Sequence, residues 1–478
     1  MSNPRPDVRH VHPPRRVGRP HLFAGLALAV TTALLVAPAA LPSAEAATRP
    51  AAITAVSSKP GPKPGEVRIA WSTSGSHTTA YRIDTSLSLF SRTDKNLPRQ
   101  GRGFTSFVVN GGSRRSVTLS AAATARAGAP VGSANHLYFR IYALNGSTER
   151  AYARLQSVSV QPQGVPASGS AIRVASFNVR TANAAGDTGS RKWSARAPYV
   201  ARAIVAKNPG LVAIQELSPG SITGTTGGTR QTTSLLNALR SNGGGKYALN
   251  RTTSYAKPGT PMGSQGARIL YDTTRYQLRT ACREMTGSSH WNVACTIRMP
   301  LRPGDSEKER RLAAVARFRD RKTGKEFYFV SVHLDARKST NATTQRSYES
   351  LRGAQVKAVT ARLAAINAHR ATPLPVVFAG DINSWQNTPS TYAPHNELVK
   401  AGFYDTAAAT SRINFRYSTV TAFATTFKPT SSGFGARLDV IAVKGVRGSA
   451  RFETVLKVTD SHRPSDHNMV LADFKLPR

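Results

Sequence analysis

The sequence predicts a multidomain chain, an N-terminal all-β sandwich followed by a C-terminal α/β four-layer sandwich in which two sheets pack together beneath outer helices. Three observations predict it. From residue 51 to about 163 the chain reads as short strands of period two, parted by Gly, Pro, Ser and Asn. From residue 171 onward apolar strands alternate with helices, the texture of a layered α/β domain. Between the two, Pro162, Gly164, Pro166 and Gly169 stand among serines and mark a linker at 163–170.

The first 46 residues belong to neither domain. Arg5, Arg9, Arg15, Arg16 and Arg19 precede an apolar run at 22–41, and small residues close it with Ala44, Glu45 and Ala46. This is the pattern of a secretory signal peptide, so residues 1–46 are expected to be removed and the protein to be secreted. A membrane anchor needs ~20 uninterrupted apolar residues, and Pro38 and Pro42 break the run. Arg15 and Arg16 lack the apolar context of a twin-arginine signal, which leaves the export route open.

In the first domain, residues 50–162, the strands are VRIAW (67–71), AYRIDTS (80–86), SFVVN (106–110), SVTLS (116–120) and LYFRIYALN (137–145). The second domain, 171–478, opens with IRVASFNV (172–179), then a helix at 195–207 that Pro209 stops before LVAIQEL (211–217). A short helix at 234–240 and the strands ARILYD (267–272), AAVARFRD (313–320) and FYFVSVHL (327–334) follow. A long helix is expected over 346–369, with Leu351, Ala354, Ala358, Leu363 and Ile366 inward and Arg352, Lys357 and Arg362 outward. PVVFAGDIN (375–383), RLDVIAV (437–443) and a closing strand after SDHN (465–468) complete the domain.

Lysine and arginine total 65 against 25 acidic residues, a net charge of +40. The excess lies in the folded domains: residues 47–170 carry a net +11 and residues 171–478 a net +26. A polyanion is therefore the expected partner, nucleic acid first and an anionic membrane or cell-wall polymer second. The two cysteines, Cys282 and Cys295, are expected to form a disulfide outside the cell. A loop of that size gives about 3 kcal/mol in the chain-entropy model.

The strands of the second domain share one feature. Apolar runs end in Asn178, Glu216, His333, or Asp381 with Asn383, while Asp439, Asp466 and His467 stand where strands begin. Such repetition suggests one face on which distant segments converge. Four acids gathered there repel one another unless a cation or a protonated histidine sits among them. An oxygen-rich set with histidine and no nearby cysteine suits a hard ion, Mg²⁺ first, with Mn²⁺ or Ca²⁺ as alternatives.

These motifs resemble those of the endonuclease/exonuclease/phosphatase superfamily, the DNase I-like fold, in order along 171–478: FNVR (177–180), QEL (215–217), SVHLD (331–335), GDIN (380–383), RLDVIAV (437–443) and SDHNMV (465–470). The resemblance implies a metal-dependent phosphodiester hydrolase. It implies that Glu216, Asp466 and Asn178 hold Mg²⁺ and that His467, oriented by Asp439, moves a proton or clamps phosphate. Asp381 and Asn383 would position or activate the attacking water, and His333 would bind phosphate or protonate the leaving group. By placement, Gln265 stands where such nucleases often carry a carboxylate partnering the first histidine, and no abasic-site tyrosine is matched. The first domain resembles a fibronectin type III domain through Trp71 and through Tyr138, Arg140, Tyr142, Ala143 and Asn145 on its late strand. A spacer or adhesive module is its expected role, with cell wall or polysaccharide as the contact an adhesive module would make.

Fold alone admits several phosphate esters. Charge and export point to an extracellular nuclease acting on DNA or RNA, as a monomer. A sphingomyelin or phospholipid phosphodiesterase is the alternative. It calls for an exposed aromatic hairpin, for which His290 and Trp291 are the candidates. A non-catalytic polyanion or cell-wall binding protein is the third reading, and the six strand-end motifs speak against it.

Overall fold

The computed structural model describes residues 49–63, 65–86, 105–126, 135–160, 171–260, 266–280, 282, 289–385, 393–409, 411–424, 426–430, 434–446, 449–456 and 463–477. The expected signal peptide at 1–46, the expected linker at 163–170 and Gln265 lie outside them.

Residues Ala47–Arg478 form one compact unit. Its first part has two sheets. Three strands, Ala52–Pro60, Val67–Ser74 and Ser116–Leu119, face a five-stranded sheet of Thr105–Asn110, Ala80–Ser86, Asn135–Asn145, Thr148–Ala151 and Gln156–Val160. Alternation along Asn135–Asn145 sends Leu137, Phe139, Ile141 and Ala143 into the core between these sheets, where Trp71 packs on Tyr81 at 4.8 Å. The strands at 52–60, 148–151 and 156–160 were not evident in the sequence, since none is strongly apolar.

The second part is α/β and four layers deep. One sheet runs Tyr247–Leu249, Arg268–Asp272, Leu211–Gln215, Ala171–Asn178, Val470–Lys475, Ser449–Thr454, Ser411–Ile413. The other runs Tyr276–Leu278, Leu312–Asp320, Glu326–His333, Val376–Asp381, Asp439–Lys444, Tyr404–Asp405, with Thr296–Arg298 beside Leu312–Asp320. Their inner faces share a core that includes Val174, Ala213, Ile269, Phe329, Val377, Ile441 and Val470. Helices Trp193–Lys207 and Gln231–Ser241 cover the first sheet, and helix Ala342–Ala368 covers the second.

Local chemistry explains these helix limits. Asn341 caps the long helix by accepting from the amides of Thr343 and Thr344. Asn208 ends the helix at 193–207 in the left-handed conformation, immediately before Pro209. The long helix departs from its expected faces. Ala354 is exposed, and Arg352 is 1% exposed rather than outward. Arg352 pairs with buried Glu349 and donates to the carbonyls of Asp335 and Arg337, so an ion pair and two backbone acceptors compensate its burial. Cys282 and Cys295 are joined. Among the described residues, no helix is long and apolar enough to cross a membrane.

Candidate active site

Strand directions bring the polar strand ends to one edge. Ala171–Asn178 and Leu211–Gln215 are parallel, and so are Glu326–His333 and Val376–Asp381. All four finish at that edge. Asp439–Lys444 and Val470–Lys475 run antiparallel to their neighbours and begin there. Register then pairs His333 with Asp381 and Asp381 with Asp439. Gly380 is required next to Asp381, because a Cβ there would lie 2.1 Å from the Val332 carbonyl oxygen. Glu216 and Asn383 leave their strands in the left-handed region, with φ of 59° and 49°, a cost that surrounding contacts must sustain.

Hydrogen bonds tie most of the set together. The Asn178 side-chain amide donates to Glu216 and to Asp381, both at 3.0 Å, and its oxygen accepts from the Arg180 amide. Glu216 also accepts from the Thr181 amide at 3.1 Å. His467 Nδ1 meets Asp439 Oδ2 at 2.9 Å. Its Nε2 lies 3.8 Å from Asp381 Oδ2, and His333 Nε2 lies 3.6 Å from the same oxygen. Asp381, Asp439 and His467 thus form a buried three-residue cluster. Asn383 uses its backbone amide on Asp381 and its side-chain amide on the Leu334 carbonyl, so it fastens the turn after Asp381 to the strand carrying His333.

Asp466 is arranged differently. It pairs with Arg180 Nη1 at 2.7 Å, and Arg180 also grips Asp187. Ser465 donates to the Asn178 carbonyl at 2.6 Å, which joins the SDHN and FNVR segments.

Electrostatics separate the roles. Burial, reinforced by Asp439, raises the Asp381 carboxyl to about 6, against the pull of His467 and of the amides that donate to it. Burial works against a charge on His467, but Asp439, then Asp381 and Asp466, outweigh it and raise the imidazole to about 10. His333 moves the other way: burial, then Arg311 and His467, lower it well below the usual histidine value. It is therefore a neutral imidazole at pH 7, suited to hydrogen bonding and unsuited to donating a proton as an imidazolium.

Three arginines had no recognised role in the sequence. Arg196 is fully buried and donates to the carbonyls of Arg191, Val179 and Pro464 at 2.6, 2.6 and 3.0 Å. Arg180 stood inside FNVR, but its partners lie at positions 187 and 466. Arg311 opens the strand Leu312–Asp320, and the charges of Asp335, Glu216 and Asp381 act on it. Its Nη1 is buried with no partner among the described residues. No signal in the run Arg310, Arg311, Leu312 distinguished it from a surface arginine.

A model of the Endonuclease/Exonuclease/phosphatase family matches residues 175–467, from the first site strand to His467. The chain belongs to that family. It is accordingly a hydrolase of the family whose members cleave phosphate esters and phosphodiesters. No curated protein matches the chain. Solved structures similar to it include a mannosyl-6-phosphatase from Bacteroides thetaiotaomicron, 19% identical, covering 63% of this chain and 98% of that one, with a TM-score of 0.46. The human Nocturnin catalytic domain with bound sulfate is 18% identical, covering 64% and 94%, with a TM-score of 0.41. D. rerio TDP2 with a single-strand DNA product is 16% identical, covering 64% and 99%, with a TM-score of 0.38.

Proposed function

We propose that the protein is a secreted, Mg²⁺-dependent nuclease that hydrolyses DNA or RNA as a monomer. The observation that carries the reading is the chain of contacts from partly buried Glu216 through Asn178 to Asp381, with the buried Asp439–His467 pair beside it. The net charge of +26 on residues 171–478 favours a polyanionic substrate. The signal-like start and the disulfide favour export.

Asp381, with its carboxyl at about 6, is deprotonated at neutral pH and basic enough to take a proton from the attacking water. His467, held cationic by Asp439, clamps a phosphate oxygen and supplies a proton to the departing oxygen. His333 and Arg311 contribute hydrogen bonds to the phosphate. Glu216, Asp466 and Asn178 offer oxygens of the kind a hard divalent ion takes. Asp466 would have to give up its ion pair with Arg180 to join them, whereas Asp381, Asp439 and His467 already lie close enough together to hold an ion. Such an ion, when bound there, makes phosphorus more electrophilic and offsets charge in the transition state.

The phospholipid reading gains no support from Trp291. It is partly buried against the inter-sheet core, and Arg298 sits 5.1 Å from its ring. The test is direct: plasmid DNA, RNA and sphingomyelin are each incubated with the purified protein in Mg²⁺ or in EDTA. Metal-dependent cleavage of nucleic acid is expected. Cleavage of sphingomyelin alone would overturn the substrate, and no cleavage of any substrate would overturn the enzyme.

A further inference from the structure

Period-two alternation in Asn135–Asn145 gives Leu137, Phe139 and Ile141 to the core of the N-terminal sandwich, so Tyr138 must project from the opposite face. A tethered module would leave such a ring in water. Here Tyr138 is only 2% exposed, and it belongs to the core between the two large sheets, together with Leu155, Phe415, Phe434 and Phe452. Its ring meets Phe434 edge-on at 4.8 Å, an arrangement that contributes about 0.5–1.5 kcal/mol beyond the area it buries. Beside it, Arg412 donates from Nη2 to the Ser157 carbonyl at 3.5 Å and lies 4.2 Å over the Phe415 ring.

What Tyr138 touches leads to the site. Phe434 lies five residues before Asp439. Between them, Gly435 donates to the Phe415 carbonyl at 2.7 Å, and a Cβ on it would lie 2.1 Å from the Tyr417 carbonyl oxygen, which leaves the two segments no slack. Thr419 donates to the Ala436 carbonyl at 2.9 Å. Its hydroxyl accepts from the amides of Leu438 and Asp439 at 2.9 and 3.3 Å. Its carbonyl accepts from the Asn468 amide at 2.7 Å, and the next residue, Val420, bridges to His467. Thr419 therefore touches Asp439 directly, Val420 after it bridges to His467, and the segment that carries both is braced from the sandwich.

We propose that the N-terminal sandwich is a positioning element of the hydrolytic centre: docked through Tyr138, Leu155 and Ser157 onto residues 411–419 and 434–439, it fixes the segment that presents Asp439 to His467. Tyr138 and Phe434 are positioning residues, since neither is placed against substrate. The proposal rests on reading Asp439 and His467 as the catalytic pair. A sandwich that only tethers the protein to a surface has no effect on turnover.

The test uses the full chain with Mg²⁺ and plasmid DNA. Because displacements of about 1 Å lower rates up to about a hundredfold, Tyr138→Ala is expected to lower kcat about ten- to hundredfold, with KM changed by no more than about twofold. Tyr138→Phe, which keeps the ring against Phe434, is expected to restore kcat. Trp71→Phe perturbs the sandwich's own core and is expected to lower its melting temperature without changing kcat. Amide exchange in Tyr138→Ala is expected to quicken at Leu438, Asp439 and Asn468. A folded Tyr138→Ala protein with wild-type kcat, or with unchanged exchange at those three amides, overturns the proposal. If the wild-type chain cleaves no DNA, the nuclease reading fails, and the exchange measurement alone still decides the positioning claim.

Discussion

Replacing Arg196 with methionine keeps most of the side-chain length and removes the fork that holds two site segments together. In the folded protein this guanidinium has no exposure and donates to Val179, Arg191 and Pro464. The Val179 carbonyl is wholly buried, and leaving such an acceptor unpaired costs about 1–3 kcal/mol. The Arg191 and Pro464 carbonyls are partly accessible, so water can replace their partner at a net loss of about 0.5–1.5 kcal/mol each. One effect opposes these losses. Burial lowers the Arg196 guanidinium to about 10, which reveals a desolvation cost that methionine does not carry. The balance predicts a loss of about 3 kcal/mol. Urea unfolding at pH 7 measures it, followed by the fluorescence of buried Trp193, whose ring lies 5.3 Å from the Arg196 guanidinium carbon. A loss below about 1 kcal/mol would refute the reasoning, because that is the typical net worth of one ordinary hydrogen bond.

In EDTA-treated protein the His467 imidazole is expected to titrate near 10 by NMR, and Asp439→Asn should bring it back toward the ordinary 6.5. Because that pKa is raised on folding, its stabilisation is complete below the unfolded value of about 6.5 and is lost as pH rises through about 10, so urea midpoints should fall across that window. Arg311→Gln should lower kcat/KM about ten- to hundredfold, the value of a charge-assisted hydrogen bond to phosphate, and steady-state kinetics on DNA will show it. Replacing Cys282 and Cys295 together with serine should lower stability by up to about 3 kcal/mol in calorimetry or urea unfolding.

Much of the α/β domain was legible because its strands are buried on both faces and its long helix carries an apolar stripe. That helix nevertheless starts at Ala342 rather than 346, behind an Asn341 cap that went unrecognised. The strand at 211–215 and the helix at 193–207 fall close to their expected bounds, and the two-sheet layering follows from their alternation. The strand-end residues were legible for a related reason: a polar group that closes an apolar run stands out. Their pairings were not. Arg180 finds Asp466 across 286 positions, and Asn178 finds Asp381 across 203, distances over which no local pattern carries information. Arg352 was misplaced because an arginine reads as surface unless its buried partner, here Glu349, is seen beside it. The left-handed backbone at Glu216 and Asn383 was invisible for the opposite reason, since tertiary contacts hold those residues where their own preference would not. Tyr138 fitted a strand pattern in the sequence, and only the fold shows that its ring serves the other domain's core.

The hydrolytic centre proposed for this protein is Asp381, Asp439 and His467, with nucleic acid held by the charge around it. Its most direct test compares DNA cleavage and DNA retention by wild-type protein and His467→Ala, each in Mg²⁺. Cleavage is expected to fall by about 10²–10⁴, the usual contribution of a positioned acid or base, while retention stays at the wild-type level. A His467→Ala protein that cuts DNA at the wild-type rate would remove His467 from the hydrolytic centre.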